Sequence, residues 1–282
     1  MKLLNQLEIV DQIRRALAED VGQGDITTAA TVAPGQLGRV RIKVKESRMI
    51  LAGGFLIEQV FRIAGADPKV TSLKPDGAEL KAGDLLAEVE GQLAGLLSGE
   101  RTALNFVQLL SGIATATRRY VDAIAGTRAT IIDTRKTHPG LRLLEKYAVR
   151  AGGGHNHRFG LDSGVLIKEN HVAAAGGITP AIERARKLAP HTLKIEVECE
   201  TLAQVDEAVR AGADLILLDN MTLEQVREAR AKVGAKILLE VSGGVTLETV
   251  HSIAETGVDL ISVGALTHSV KAVDISMRID GA

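Results

Sequence analysis

The chain of 282 residues has no tryptophan, four phenylalanines and two tyrosines, so alanine, valine, isoleucine and leucine must fill its interior. Its one cysteine, Cys199, excludes an intramolecular disulfide and a cysteine-rich metal centre, and fits a reducing compartment. Neither sign of charge prevails. With 34 Lys and Arg against 35 Asp and Glu, the chain as a whole offers no field to recruit nucleic acid or an anionic membrane. Any anion binding must come from local clustering. Nowhere is there a run of about 18 apolar residues, the length of a spanning helix, so no membrane-integral protein is expected. The first residues carry charges at Lys2, Glu8, Asp11, Arg14, Arg15, Glu19 and Asp20, which leaves no apolar core for a signal peptide. A cytoplasmic location is the expectation.

What is present is an ordinary globular composition, 45% hydrophobic and 24% charged, enough for one large core or two smaller ones. Leu4, Leu7, Val10, Ile13 and Leu17 recur three or four apart and predict one face of a helix ending near Asp20. From Arg39 to Glu90 the pattern changes to short runs, RVRIKV, RMILAG, KVTSL and LLAEVE, punctuated by Pro68, Pro75, Gly77 and Gly83, which predict strands of a small sheet. Phe55 to Ala64 has helical spacing. A long helix is predicted from Leu93 to Ile124 as the bridge to a second domain.

From Ala129 onward, apolar strands ending on a polar residue alternate with amphipathic helices at a period of about twenty residues. The strand ends are Asp133, Lys168, Glu198, Asp219, Ser242 and Gly264. This regular alternation predicts a parallel sheet and favours a closed α/β barrel over an open doubly wound sheet. Barrels of this kind carry their chemistry at the carboxyl ends of the strands, which singles out those six residues.

Between Arg135 and Lys168 lie seven cations, Arg135, Lys136, Arg142, Lys146, Arg150, Arg158 and Lys168, against Glu145 and Asp162. Guanidinium forks bind carboxylates and phosphates in pairs of hydrogen bonds, and lysine adds a point charge; the bland alternative is a solvated basic face. Glu198 and Asp219 end successive strands, with Glu196 on the same face as Glu198. Paired carboxylates there can hold a hydrated Mg2+ beside phosphates or ribose hydroxyls, or they can be structural partners of a lysine. SGGV at 242–245 and SVGA at 262–265 place small residues where backbone amides can approach a phosphate, or simply where the chain turns tightly. The His155 and His157 pair could be a metal motif, but the surrounding cations would repel an ion, and anion contact by His157 is the better reading. His171 is read equally as a helix-start hydrogen bond or a ligand contact, and Cys199 as core.

Together these stretches resemble the quinolinate phosphoribosyltransferase family, also called nicotinate-nucleotide pyrophosphorylase (carboxylating). The resemblance runs through EDVGQGDITT at 19–28, SGERTALNF at 98–106, DTRKTHPGLR at 133–142, GGGHNHRFGLDSGVLIKENH at 152–171, EVE at 196–198, LLDNM at 217–221 and SGGV at 242–245. It implies a type II phosphoribosyltransferase. Residues 1–107 would form an N-terminal α/β sandwich completed by the tail 265–282, and residues 108–264 an incomplete, seven-stranded α/β barrel. It also implies a homodimer with shared active sites, higher assembly being left open.

By the same resemblance Arg135, His157 and Arg158 hold the quinolinate carboxylates, with Arg101 reaching in from the other subunit. Lys136 and Lys168 contact quinolinate and phosphoribosyl pyrophosphate. Glu198 and Asp219 serve ribose hydroxyls and Mg2+, and Ser242, Gly243 and Gly264 cradle the 5'-phosphate. Glu169 and Val241 depart from the family's usual Asp and smaller residue. Phosphoribosyl transfer with loss of CO2 would give nicotinate mononucleotide and pyrophosphate, a step of NAD biosynthesis. Two rivals are the related molybdenum-transport-associated protein, opposed by the retained Arg101, His157 and Arg158, and a non-catalytic polyanion-binding barrel, opposed by the acidic pair.

Overall fold

The computed structural model describes residues 6–280, and the chain divides into two compact units. The first takes in the chain through Arg118, the segment Thr137–Gly153 and the segment from His268 on; the second takes in Arg119–Lys136 and Gly154–Thr267.

The first unit opens with α1 (Gln6–Val21), which buries Ile9, Ile13 and Leu17. Leu7 is 79% exposed and Val10 only half-buried, so the buried face is rotated from the one predicted. At about 100° per residue Leu7 points roughly 120° away from Ile13, off the stripe that Ile9 and Leu17 flank. Leu4 lies outside the described residues. A short helix, α2 (Ile26–Thr31), was not predicted; the Asp25 carboxylate caps it by accepting the Thr28 N–H at 2.9 Å.

In β1 (Leu37–Val44), Val40, Ile42 and Val44 are buried and alternate with Arg39, Arg41 and Lys43, the period-two pattern of a strand with one solvated face. The predicted RMILAG strand is reduced to β2 (Met49–Ile50), because Gly53 and Gly54 lead straight into α3 (Phe55–Ile63). Next come β3 (Lys69–Leu73), β4 (Glu79–Leu80), which pairs with β2, and β5 (Leu85–Gln92). The main sheet is antiparallel in the order tail strand Ile275–Ile279, β1, β5, β3. α4 (Leu93–Ala123) follows, and its last five residues belong to the second unit. A Cβ on its Gly95 would lie 2.4 Å from the Ala66 backbone nitrogen, so only glycine allows that approach. α5 (Arg142–Ala151) buries Leu144, Ala148 and Val149 in this first unit.

The second unit is a parallel sheet of β6 (Thr130–Ile132), β7 (Val165–Ile167), β8 (Ile195–Cys199), β9 (Leu215–Asp219), β10 (Leu238–Ser242) and β11 (Leu260–Ser262). The strand order is β6-β11-β10-β9-β8-β7. A seventh strand survives only as an isolated parallel bridge from Ile132 to His155 on the free edge of β6. The ladder stops there because the Asp133 carboxylate takes the next backbone N–H, that of His157, at 2.9 Å; it also accepts from the Asn156 side-chain amide at 2.6 Å. Helices cover the sheet: α6 (Glu169–Ala175), α7 (Ile178–Leu188), α8 (Leu202–Arg210), α9 (Leu223–Val233), α10 (Val250–Ala254) and α11 (Ala265–His268). α8 and α9 start with reciprocal capping pairs, Thr201 with Gln204 and Thr222 with Gln225.

Candidate active site

The carboxyl ends of the parallel strands open into a cavity of about 480 Å3 in the second unit. Arg135, Lys136, His157, Arg158, Lys168, Glu198, Asp219, Ser242 and Gly243 all line it, so alternation of strand and helix brings together residues more than a hundred positions apart. Gly264 follows β11 by two residues and its carbonyl accepts the Thr267 N–H at 3.1 Å. Arg101 stands exposed on α4 in the first unit.

On one side the cavity is cationic. Arg158 donates through Nη1 to the Gly164 carbonyl at 2.9 Å, and its Nε is buried with no hydrogen-bond partner. Burial first, and the neighbouring Arg135 second, weaken its hold on the proton, opposed by Glu196. Lys136 is placed by its backbone: its N–H donates to Thr134 Oγ1 at 3.0 Å and its carbonyl accepts the Thr267 hydroxyl at 2.7 Å.

On the other side Lys168 is hydrogen-bonded to Glu198 Oε2. The structural-partner reading of that carboxylate therefore holds, within the cavity. Asp219 accepts from the Asn220 side chain at 2.8 Å. Asn220 adopts φ 54, and its Oδ1 would sit 2.1 Å from a Cβ on Gly243, so glycine is required here by its protein neighbour before any phosphate is considered. His171 starts α6, its Nδ1 accepting the Lys168 N–H at 3.0 Å. Cys199 is fully buried, and desolvation pushes its thiol up to about 12.

The floor holds Glu240, to which the sequence reading gave no role. Glu240, in the middle of β10, and Ser262 line the cavity alongside Asn220. His157 Nε2 lies 3.0 Å from Glu196 Oε2 and 3.8 Å from Glu240 Oε2, while His157 Nδ1 accepts the Arg158 N–H at 2.7 Å. Burial, then the Glu196 carboxylate, push the Glu240 carboxyl well above the usual carboxylate range. The signal that could have found Glu240 is an acid inside an apolar strand, two residues before its polar end, as Glu196 is in β8. Among the described residues, His157, Glu196 and Glu240 are the one group of three whose ligating atoms lie within 4.8 Å of one another; Glu198 and Asp219 form no such group. Two carboxylates at adjacent strand ends still fit Mg2+, which keeps several waters and binds through one or two carboxylates plus substrate phosphates.

Residues 25–111 match the N-terminal domain, and residues 113–278 the C-terminal domain, of quinolinate phosphoribosyl transferase. The chain is 46% identical over 276 residues to a probable nicotinate-nucleotide pyrophosphorylase [carboxylating] of Bacillus subtilis, covering 98% of this chain and 95% of that one. It is 47% identical over 276 residues to the Mycobacterium leprae nicotinate-nucleotide pyrophosphorylase [carboxylating], covering 95% and 96%. The crystal structure of NadC from Streptococcus pyogenes superposes with a TM-score of 0.93 at 42% identity, over 98% of this chain and 97% of that one. The nicotinate-nucleotide pyrophosphorylase of Francisella tularensis superposes with a TM-score of 0.94 at 39% identity, over 98% of both. The fold is that of a type II phosphoribosyltransferase. With both domains matched and the likeness spanning nearly the whole chain, this protein belongs to the quinolinate phosphoribosyltransferase family.

Proposed function

We propose that this chain transfers the phosphoribosyl group of phosphoribosyl pyrophosphate to quinolinate and releases pyrophosphate and CO2. The observation that carries the reading is one cavity with Arg135, Lys136, Arg158 and Lys168 beside the strand-end acids Glu198 and Asp219. A dicarboxylate needs the first set, and a ribose bearing pyrophosphate needs both.

Arg135 and Arg158 grip the two ring carboxylates and orient the ring nitrogen toward the ribose C1. The buried, unpartnered Nε of Arg158 is a donor that a carboxylate can satisfy. Lys136 and Lys168 neutralise carboxylate and phosphate charge, and Lys168 is steadied by Glu198. Glu198 and Asp219 accept from ribose hydroxyls while positive charge builds on the sugar. The turn after Ser242, with Gly243 and Gly264, receives the 5'-phosphate. Glu198 and Asp219 would hold Mg2+ through water, where it would offer positive charge to a departing pyrophosphate. Once the glycosidic bond forms, the cationic ring nitrogen stabilises the electron pair left on the ring carbon as the adjacent carboxylate departs as CO2, and that carbon then takes a proton from water. The protein's contribution is positioning and electrostatics, with no covalent nucleophile. A homodimer in which Arg101 serves the partner's site completes the carboxylate grip.

The test is release of pyrophosphate and of CO2 from quinolinate and phosphoribosyl pyrophosphate, stoichiometrically and with Mg2+ present. Excess chelator should abolish turnover, and full turnover in chelator removes the metal from the scheme. Mixing inactive Arg101→Ala and Lys168→Ala subunits should restore about a quarter of the sites, since half the dimers are mixed and each has one intact site. Mixed dimers without activity would place Arg101 elsewhere.

A further inference from the structure

The segments that form the cavity mouth are not all held alike. β7 is laddered to β8, β8 to β9, β9 to β10, β10 to β11 and β11 to β6, each through two or more paired residues. Among the described residues, the segment that carries His157 and Arg158 has a single bridge, from His155 to Ile132. Beyond that bridge the tie passes to a side chain. Asp133 is fully buried; its Oδ1 accepts the His157 backbone N–H at 2.9 Å and its Oδ2 accepts the Asn156 side-chain amide at 2.6 Å. A buried carboxylate is costly unless donors meet it, and bonds to its charge are stronger than bonds between neutral groups. Asp133 therefore takes the place in which the ladder of a seventh strand would continue.

The tie joins the backbones of two arginines. Arg135 follows Asp133 by two residues, Arg158 follows His157 by one, and both side chains line the same cavity. Guanidinium groups that share a cavity repel each other, so their spacing must be imposed by the chain that carries them. The two carboxylates of quinolinate stand on adjacent ring carbons, and a fixed separation in the ligand rewards a fixed separation of the forks that grip it.

We propose that Asp133 is a positioning residue of the quinolinate subsite, which locks the Arg158 segment onto the strand end of Arg135 and so sets the spacing of the two guanidinium groups. The inference rests on the quinolinate reading. Asp133 is not among the residues that line the cavity, and it acts through the His157 backbone and the Asn156 side chain. Glu198, Asp219 and Ser242, which serve the phosphoribosyl group, stand on strands with ladders of their own.

The experiment compares wild type, Asp133→Ala and Asp133→Asn in steady-state kinetics with both substrates varied. Alanine accepts from neither partner, and the KM for quinolinate should rise at least about tenfold. The KM for phosphoribosyl pyrophosphate should stay within about twofold, because its strands keep their ladders. Asparagine keeps an oxygen for the His157 N–H, while the Asn156 amide can turn to present its own oxygen, so the quinolinate KM should return to within about threefold of wild type. Both KM values moving together, or asparagine failing as badly as alanine, overturns the proposal.

Spacing is read directly by calorimetry with phthalate, whose carboxylates are adjacent, and isophthalate, whose carboxylates stand one carbon further apart; neither has a ring nitrogen to react. Wild type should prefer phthalate at least about tenfold, and Asp133→Ala should hold the two acids within about threefold of each other. An undiminished preference in folded Asp133→Ala would leave Asp133 a purely structural acid and overturn the proposal. Hydrogen exchange of the wild-type protein needs no variant to fold. The His157 amide should be protected as well as amides inside β8 and β9, although it lies in no strand, and rapid exchange there sinks the tie even if quinolinate is the substrate. A protected His157 amide in a chain that neither turns over quinolinate nor prefers phthalate would sustain the tie and reject the substrate reading.

Discussion

At the amino ends of the parallel strands, Asp214 and Asp259 are engaged by protein donors; at the carboxyl ends, Arg158 and Asp219 keep capacity for a ligand. Asp259 is bonded to Arg128, to Arg230 at 2.6 Å and to the Leu239 N–H at 2.9 Å. Asp214 accepts the Ile195 N–H at 2.8 Å and faces Arg186 at 3.4 Å. Both acids stand in the same local string, Gly-x-Asp-Leu-Ile, just before a strand, and each holds an N–H at the start of the strand beside it, that of Ile195 or Leu239. The chain therefore uses the same residue types twice. At one end charge is closed off to fix strand register, and at the other it is left open to chemistry.

The largest expected effect belongs to the open end. Arg135→Ala should lower kcat/KM for quinolinate at least about a hundredfold, equivalent to about 3 kcal/mol of charged hydrogen bonding. The melting temperature should barely move. Nicotinate, which lacks the carboxylate beside the ring nitrogen, should be turned over poorly by wild type and lose much less in this variant. Equal kcat/KM for both acids in wild type would break the assignment of the cationic side.

At the closed end the signature should invert. Asp259→Ala strips two arginines and a strand N–H of their acceptor, and should cost about 3 kcal/mol in denaturant unfolding while kcat at 25 °C is largely retained. A large loss of kcat in folded Asp259→Ala protein would mean that the two ends are not separable. The smallest effect is expected on the outer surface, where Lys232 of α9 meets Asp206 of α8 at 3.1 Å. Asp206→Ala should change stability by less than about 0.5 kcal/mol and leave turnover alone. A larger change would show that helix-to-helix charge matters as much as the amino-end network.

The same contrast explains what was legible in the sequence. Strand ends could be read because each apolar run stops on a polar residue, which is why Lys168, Glu198, Asp219 and Ser242 were all placed at the cavity. Asn220 and Glu240 were not, because their roles depend on neighbours across the sheet: Asn220 on Gly243, Glu240 on Glu196 and His157. His157 was read as an anion contact by its cationic company; it lines the cavity, with Nε2 against Glu196 and Nδ1 accepting the Arg158 N–H. The rotated face of α1 and the one-residue seventh strand were hidden for a related reason. Periodicity shows that a face exists, and only packing shows which of several apolar residues it buries.

The solitary thiol has a practical consequence. Cys199 is fully buried with its proton held to about pH 12, so a maleimide at neutral pH should pass it by in the folded protein. A cysteine installed at Leu161, which is 74% exposed a few residues beyond Arg158, would then be the sole reactive handle on the chain. One dye there, on an otherwise tryptophan-free background, would report cavity occupancy without any cysteine having to be removed first.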